Sequence, residues 1–400
     1  MPMLDGRRFW FVGIGGAGLS GYALVAQAWG AEVAGWDRYE TPYLEHVRAA
    51  GIPVTISPDP AAAPEGWETV VSTAFAGQAE GRTRADFLAE LVSLAPAIVV
   101  AGTHGKTTTA AMIAFVLDRL GRDPSFLIGA QVLQLGGNAR VGSGWLVVEG
   151  DESDRTVFGL PAEIAVITNV DLDHHTTFAS ASELDEAFAD WARCLAPGHV
   201  IWGRELEPVG FGLAVPGVHN RLNAACALAA LELAGVGREE ATATLKEFRG
   251  AGRRLEDRGE AGGVRIVDDY GHHPAEIAAT LAAARELANG GRVLVLFQPH
   301  LYSRTLHLAG ELAAALAGAD VAAVTDVYPA REEPLDGVSG KLVVDRLTEV
   351  RPGMRVGWTP TVEQGAEFLV AVARTGDLVL TVGAGNVDEA VPILLERLAR

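Results

Sequence analysis

Cysteine and long apolar stretches are both scarce in this 400-residue chain. The two cysteines, Cys194 and Cys226, are too few for a disulfide framework, which favours a reducing, cytoplasmic location. No stretch reaches the roughly 18 consecutive apolar residues of a transmembrane helix, and an early aspartate and several glycines interrupt the apolar N-terminus. We therefore expect neither secretion nor insertion into a membrane.

Positive charge is also scarce. The chain has 32 Lys and Arg residues against 51 Asp and Glu, which gives a formal net charge of -19. Such a charge disfavours non-specific binding to nucleic acid or to an anionic membrane, so we expect neither as a partner and expect phosphate to be bound only at a local site. Only Lys106, Lys246 and Lys341 are lysines, and a lysine within a motif is therefore expected to supply something that arginine cannot.

The chain is long and apolar enough for more than one domain. It is 49% hydrophobic, and apolar β-rich runs alternate with Ala- and Leu-rich helical stretches, the pattern of parallel sheets covered by helices. We predict an α/β fold with three domains, over residues 1–96, 97–247 and 248–400. The charged stretch 238–258 predicts a hinge into the third domain.

The pattern also predicts individual elements. Strands are predicted at residues 8–12, 32–36, 97–101, 145–148, 164–168, 264–267, 293–297 and 378–382. Helices are predicted at residues 17–29, 107–120, 223–234 and 274–287.

The first motif is a glycine-rich turn that joins the first strand to the first helix. It contains Gly13, Gly15, Gly16, Ala17 and Gly18, and Asp37 follows at the end of the next strand. Glycines let a backbone approach phosphate at a helix N-terminus, and the acidic residue can meet a ribose hydroxyl. The motif alone suggests NAD, although any nucleotide diphosphate satisfies the same chemistry, and a tight turn without a ligand is the simplest alternative.

A second phosphate loop follows the strand at 97–101. It comprises Gly102, Thr103, His104, Gly105, Lys106, Thr107 and Thr108, and it is shorter than the usual loop because Val100 stands where a glycine is common. Backbone amides would surround the phosphates, Lys106 would neutralise the β- and γ-phosphate charge, and the Thr107 hydroxyl would ligate Mg²⁺. This pattern predicts a site for a nucleoside triphosphate.

Two acidic segments are candidates for the metal site. Strand 145–148 leads to Glu149, which could bring a hard oxygen ligand to Mg²⁺, while Asp151 and Asp154 behind it could equally be solvated charges. Strand 164–168 leads to His174 among carboxylates, where a second cation could bind, although histidine more often suits transition metals.

In the C-terminal third of the chain, polar residues follow two of the predicted strands. Asp269, Tyr270 and His272 follow one strand, and His300 and Arg304 follow the next. Zinc is disfavoured because no cysteine or suitably spaced histidine accompanies them. Open α/β sheets bind ligands at the carboxyl ends of strands, and an arginine there can bind a carboxylate.

Together these segments resemble the Mur ligase family, and within it the branch that adds alanine. The matching segments are GIGGAGLSG, GTHGKTTT, EGDESD, TNVDLDHH, PGVHNRLNA, GRRLE, DDYGHHP, FQPHLYSRT, YPAREEPLDGVSG and LVLTVGAGN, in family order over nearly the whole chain. The resemblance implies a Rossmann-like UDP-binding domain, a central P-loop ATPase domain and a C-terminal Rossmann-like domain. It also implies an ATP- and Mg²⁺-dependent ligase, monomeric or homodimeric, acting on UDP-N-acetylmuramate and L-alanine through an acyl phosphate.

The resemblance implies roles for particular residues. The UDP-sugar would be bound by Gly13, Gly15, Gly16, Ala17, Gly18, Ser20, Asp37, Ser72 and Thr73. ATP would be bound by residues 102–108 with His219, Asn220, Asn223, Arg254, Asp269 and Tyr270, and Mg²⁺ by Thr107, Glu149 and His174. The carboxylates of the substrates would be held by His272, His300 and Arg304, and the catalytic residues would be Lys106, Glu149, His174 and Arg304.

Some features depart from the family pattern and keep alternatives open. Leu301 stands where many members have arginine, and the interval from His174 to Pro216 is short. The chain could instead be a ligase that adds a preformed peptide, a paralogue with another acceptor, a nucleotide-binding protein without turnover, or an NAD oxidoreductase. Retention of Lys106, Thr107, Glu149 and His174 favours catalysis. An oxidoreductase would leave the second phosphate loop unexplained.

Overall fold

The computed structural model describes residues 3–171, 177–330 and 332–400. Within it the chain divides into two compact units. The first comprises Met1–Ala214 and Leu222–Ala251, and the second comprises Val215–Arg221 and Gly252–Arg400. In the described residues no helix is long and apolar enough to cross a membrane.

The first unit begins with a five-stranded parallel sheet in the order β3-β2-β1-β4-β5. Its elements are β1 (Arg8–Val12), α1 (Ala17–Ala28), β2 (Glu32–Asp37), α2 (Tyr43–Ala49), β3 (Val54–Ile56), β4 (Glu68–Val71), β5 (Arg82–Thr83) and α3 (Arg84–Ser93). The chain runs outward from β1 on one side and then returns to pair β4 on the other. The glycine-rich turn after β1 therefore lies where the strand order reverses, the usual ligand position of such sheets.

A second sheet of the same unit has the order β11-β10-β6-β9-β7-β8. Its segment contains β6 (Ala97–Ala101), α4 (Lys106–Arg119), β7 (Ser125–Val132), β8 (Gly137–Arg140), β9 (Leu146–Glu149), β10 (Ile164–Ile167), α5 (Ala181–Arg193), β11 (Val200–Trp202), α6 (Val218–Leu233) and α7 (Arg238–Leu245). Only β7 and β8 pair antiparallel. The central strand β6, AIVVA, is buried along its length, as a strand covered on both faces must be.

The second unit holds a six-stranded sheet in the order β12-β13-β17-β14-β15-β16. Its elements are β12 (Glu256–Ala261), β13 (Val264–Asp269), α8 (Pro274–Ala288), β14 (Val293–Phe297), α9 (Tyr302–Leu316), β15 (Val321–Val324), α10 (Gly340–Val350), β16 (Arg355–Trp358), α11 (Val362–Val370), β17 (Leu378–Val382) and α12 (Ala390–Leu398). Successive residues of β14 belong to two different apolar cores, Val293 and Val295 to one and Leu294 and Leu296 to the other. Helices thus cover both faces of the sheet.

The predicted α/β class and its parallel sheets are confirmed, and the stretch 238–258 that was predicted as a hinge contains the boundary between the two compact units. The hinge contains a helix, α7, because Ala241 and Leu245, four residues apart, are buried on one face while the charged residues face solvent. The boundary between the two compact units lies farther along the same stretch, between Ala251 and Gly252. The sequence therefore predicted where the boundary lies but not the helix that precedes it.

Candidate active site

Lys106 begins α4 directly after a loop that only glycine can form easily. Gly102 and Gly105 have φ values of +110° and +80°, in the region that L side chains rarely adopt. The turn brings Lys106 Nζ back over the loop, where it donates to the carbonyl of Gly102 at 2.6 Å, to that of Thr103 at 3.0 Å and to Glu152 Oε2 at 2.8 Å. An ammonium thus lies at the centre of the predicted phosphate loop.

The charge of Lys106 is maintained by its surroundings. Burial alone would lower the pKa of the ammonium, but the nearby carboxylates of Glu152, Asp151 and Glu149 raise the pKa above its usual value. Burial would likewise raise the pKa of Asp151, yet Lys106 and the Ser153 amide lower it. Lys106 and Asp151 therefore carry opposite charges in a largely dry environment.

Thr107 and Glu149 form a pair of hard oxygen ligands. Thr107 Oγ1 donates to Glu149 Oε2 at 2.9 Å, and Glu149 Oε1 accepts the Gly129 amide at 2.5 Å. A hydroxyl beside a carboxylate at the end of a phosphate loop is the donor set that Mg²⁺ prefers, so these two predicted ligands fit that ion. The third predicted ligand, His174, lies outside the described residues. Among the described residues there is no group of three His, Cys, Asp or Glu side chains suited to a metal.

The end of β10 holds the phosphate loop from the other side. Thr168 Oγ1 donates to the carbonyl of His104 at 2.6 Å, and Asn169 exchanges two hydrogen bonds with the His104 backbone at 2.8 and 2.9 Å. Thr103 Oγ1 donates to the carbonyl of Asp171 at 2.8 Å and accepts the Asp171 amide at 2.9 Å. The sequence analysis assigned roles to Thr103 and His104 but none to Thr168 and Asn169, although these two residues begin the matching segment TNVDLDHH.

Asn223 lies against the same loop. A Cβ added to Gly105 would be 2.3 Å from Asn223 Oδ1, so the two residues are in close contact. Asn223 is buried, as are Thr107 and Thr108 at the start of α4. The structure therefore brings one of the three α6 residues predicted for the ATP site to the phosphate loop.

The glycine-rich turn after β1 is held tightly by polar side chains. Asp37 Oδ2 accepts the Gly15 amide at 2.7 Å, and Thr41 Oγ1 donates to the Gly15 carbonyl at 2.7 Å. Asp37 Oδ1 also accepts the amides of Arg38 and Tyr39, so both oxygens of this predicted ribose ligand bind backbone. The position of Asp37 beside the loop agrees with the glycine-rich dinucleotide-binding pattern. Its hydrogen bonds also hold the backbone of the turn in place.

The other residues predicted for the UDP-sugar surround this turn. Ser72 directly follows β4 and approaches Gly13, whose added Cβ would lie 2.8 Å from the Ser72 Cβ. Thr73 begins the short turn that the Ser72 hydroxyl caps by accepting the Ala74 amide. Ser20 is buried in α1 and donates to the carbonyl of Ala17 at 3.3 Å.

In the second unit, two guanidinium groups lie over the ring of Tyr270. The Cζ atoms of Arg253 and Arg254 are 5.3 and 5.0 Å from the centre of its ring. Asp269, the residue before Tyr270, is buried, which raises the pKa of its carboxyl despite nearby Arg254. It accepts the amides of Leu255 and Gly271, so it fixes the backbone around Tyr270.

Arg253 is a structural residue that the sequence did not single out beyond its place in GRRLE. Its Nε donates to Asp268 Oδ2 at 2.9 Å, and its Nη1 and Nη2 donate to the carbonyls of Gly385 and Gly383 at 2.8 and 2.7 Å. One guanidinium therefore joins the carboxyl ends of β13 and β17. This explains why GRRLE, DDYGHHP and GAGN occur together.

His272, His300 and Arg304 converge at the carboxyl edge of the same sheet. The rings of His272 and His300 are 5.6 Å apart, and Arg304 Nη1 is 3.1 Å from His300 Nδ1. Tyr328, which was not predicted, stacks on His300 at 5.9 Å with an interplanar angle of 12°. The cluster offers a guanidinium and imidazoles to an anionic group.

Leu301, which departs from the family pattern, lies at a sharp turn of the backbone. Leu301 has φ of +68°, and its amide donates to the carbonyl of Tyr328 at 3.0 Å. This strained residue turns the chain from His300 into α9, which begins at Tyr302. The backbone at Leu301, rather than its side chain, therefore positions the cluster.

His219 and Asn220 lie at the start of α6, in the part assigned to the second unit. Asn220 Nδ2 donates to the carbonyl of Pro216 at 2.7 Å, and the His219 ring lies against Gly217, 2.6 Å from where its Cβ would be. Burial lowers the pKa of His219 although Glu286 opposes the shift. A neutral imidazole therefore lies beside a short, well-ordered turn.

Comparisons with known proteins agree with these features. Domain profiles described as the catalytic domain of the Mur ligase family, the Mur ligase middle domain and the Mur ligase glutamate ligase domain match residues 8–94, 100–200 and 253–385. The chain is 40% identical to the UDP-N-acetylmuramate–L-alanine ligase of Renibacterium salmoninarum, over 99% of this chain and 97% of the relative. It is 37% identical to the enzyme of that name from Streptomyces coelicolor, over 98% and 97%.

Solved structures show the same fold. The chain matches the UDP-N-acetylmuramate-alanine ligase of Thermotoga maritima with a TM-score of 0.79 and 26% identity, covering 98% of both chains. It matches a murein peptide ligase of Psychrobacter arcticus with a TM-score of 0.66 and 22% identity, covering 99% of both chains. The second likeness concerns the fold alone.

Proposed function

The chain belongs to the Mur ligase family, and we propose that it joins L-alanine to the carboxylate of UDP-N-acetylmuramate in an ATP-dependent step of peptidoglycan precursor synthesis. The observation that carries the proposal is its near-full-length identity of 40% and 37% to two ligases of that name. The arrangement of Lys106, Thr107 and Glu149 supports it, because the relatives' reaction needs a triphosphate site.

The first step is activation of the carboxylate. A muramoyl carboxylate oxygen attacks the γ-phosphorus of ATP, a P–O bond forms, the bond to the β,γ-bridging oxygen breaks, and ADP leaves. Lys106 stabilises the negative charge that spreads over the transferred phosphoryl group. Its bonds to Gly102, Thr103 and Glu152 hold the ammonium at the loop, and because they use all three of its donors, at least one is exchanged for a phosphate oxygen when ATP binds.

Thr107 and Glu149 would hold Mg²⁺, with His174 as the third proposed ligand. Bound Mg²⁺ supplies charge neutralisation at the phosphates. The hydrogen bond between Thr107 and Glu149 keeps both oxygens at one place, and the Gly129 amide fixes the carboxylate. These contacts support the proposed ligand set for the two residues that the structure describes.

The second step is formation of the amide. The neutral amine of alanine attacks the acyl carbon of the acyl phosphate and a C–N bond forms. The C–O bond to the phosphate then breaks, and inorganic phosphate and the amine proton are released. His272, His300 and Arg304 are proposed to hold the carboxylates of the substrates, because together they present a cationic guanidinium and two imidazoles. The backbone amides of the glycine-rich turn, with Ser72 and Thr73, are proposed to hold the UDP portion.

The acceptor distinguishes this proposal from its alternatives. We would incubate the protein with ATP, Mg²⁺ and UDP-N-acetylmuramate, offer L-Ala, Gly, L-Ser or a short peptide, and identify the product by mass. An alanyl product with concurrent ADP formation is expected, and relaxed selectivity is plausible because one methylene is worth only about 1–3 kcal/mol. Product only with the peptide would indicate a recycling ligase, and ATP binding without any product would indicate a non-catalytic protein. A cytoplasmic location and a monomeric or homodimeric state stay predictions.

A further inference from the structure

Arg84 is the first residue of α3 and belongs to none of the motifs assigned above. Its side chain lies over the glycine-rich turn of the first sheet. A Cβ added to Gly18 would be 3.3 Å from Arg84 Nε and 3.6 Å from Arg84 Cζ. The guanidinium therefore occupies the space beside the first turn of α1 that a larger residue at position 18 would fill.

Two residues from different parts of the first unit hold this guanidinium. Arg84 Nε donates to Tyr22 Oη at 3.4 Å, and Arg84 Nη1 is 3.9 Å from Asp154 Oδ2. The Arg84 side chain keeps 25% of its exposure. Both contacts are long, and the second exceeds a hydrogen bond, so they orient the group without fully satisfying it. Its Nη2 makes no hydrogen bond to any residue that the structure describes.

Tyr22, Asp151 and Asp154 raise the pKa of the Arg84 guanidinium against the effect of burial, so the group is charged in the ligand-free chain. The N-terminal end of α1 carries the positive end of the helix dipole, and a cation beside the first turn is repelled by it. An anion between the guanidinium and the first turn of α1 would be attracted by both. The same turn follows a strand in a glycine-rich fingerprint, the usual place of a nucleotide diphosphate.

We infer that Arg84 is a further binding residue for the diphosphate of a uridine nucleotide, donating from its free Nη2 to a phosphate oxygen. This inference rests on the proposed function, because that function places a UDP-sugar at the turn. Tyr22 and Asp154 act as positioning residues that aim the guanidinium. Asp154 is therefore assigned the role of orienting Arg84, whereas the sequence alone left open whether Asp154 is only a solvated charge.

The test is equilibrium binding of UDP, UDP-N-acetylglucosamine, UDP-N-acetylmuramate and uridine to wild-type protein and to Arg84→Gln. Loss of one charge-assisted hydrogen bond should weaken the three diphosphates about 10- to 100-fold and leave uridine and ATP binding unchanged. Arg84→Lys should recover part of the loss, and Tyr22→Phe should show a smaller one. Arg8→Gln, which changes an exposed arginine of β1, is the matched control and should bind like wild type.

The outcomes separate this inference from the proposed function. Equal affinity of Arg84→Gln and wild type for UDP would overturn the inference alone, whereas no UDP binding by wild type would overturn both. A loss confined to UDP-N-acetylmuramate would also overturn it, since UDP-N-acetylglucosamine lacks the lactyl carboxylate and the guanidinium would then meet that group. An equal loss for uridine would indicate a structural role only.

Discussion

The side-chain oxygen of Asn223 lies 2.3 Å from where a Cβ on Gly105 would be. Gly105 also has φ of +80°, so substitution there meets both backbone strain and a clash. The contact joins α6 to the N-terminus of α4, where the phosphate loop ends. Because of this contact, a substitution at position 105 should disturb the proposed nucleotide site directly.

Gly105→Ala should weaken ATP binding at least about 10-fold, because the loop must shift to relieve the clash with Asn223. ATP titration by calorimetry measures the effect. Gly121→Ala is the matched control, since Gly121 has φ of +68° with open space around its Cβ position. It should cost about 1–2 kcal/mol of stability from backbone strain and leave ATP affinity intact. Equal ATP affinity in Gly105→Ala would contradict the proposed site.

Lys106→Ala should lower the rate of ADP formation by about 10²- to 10³-fold or more, because it removes charge stabilisation of the transferred phosphoryl group. Lys106→Arg should also be impaired, since a planar guanidinium cannot reproduce the three contacts of Nζ. The control is Lys341→Ala, which removes an exposed lysine paired with Asp345. A fully active Lys106→Ala protein with normal secondary structure would refute the ATP assignment.

Arg304→Ala should raise the KM for L-alanine or for the UDP-sugar about 10- to 100-fold through loss of a charge-assisted hydrogen bond. Steady-state kinetics with each substrate varied in turn would show which carboxylate it holds. Arg346→Ala, an exposed arginine on α10, provides the control. Unchanged KM values for both substrates would remove Arg304 from the site.

His219 should make the protein less stable in mild acid. Burial lowers its pKa below the unfolded value of 6.5, so the unfolded chain binds the proton more readily. The stabilisation from neutral His219 is therefore complete above about pH 6.5 and is lost as the pH falls through the folded-state pKa. Between about pH 7 and pH 5, the Tm of the wild type should fall more than that of His219→Asn. Parallel pH profiles would show that His219 does not carry this effect.

Local features of the sequence predicted much of the fold. The strands Arg8–Val12, Ala97–Ala101, Val293–Phe297 and Leu378–Val382 lie at the predicted positions, because continuous apolar β-rich runs leave few alternatives in a parallel sheet. Helix α6 begins at Val218, five residues before the predicted start.

The site was less predictable, because its contacts join residues far apart in sequence. The motifs identified Lys106 and Thr107, but not the pairing of Lys106 with Glu152 or the stacking of Tyr328 on His300. Arg84 carries no motif at all, and only the approach of α3 to Gly18 reveals it. Spacing along a chain predicts which loops bind phosphate, whereas side chains delivered by other elements need the folded structure.

The most direct test of the account uses UDP-N-acetylmuramate labelled with ¹⁸O in its carboxylate. In a complete reaction with ATP, Mg²⁺ and L-alanine, we predict that one labelled oxygen is transferred to the released phosphate, since the carboxylate oxygen bonds to the γ-phosphorus. Mass spectrometry of the phosphate measures this transfer. Alanyl product accompanied by unlabelled phosphate, or no phosphate release with all substrates present, would contradict the proposed ligase.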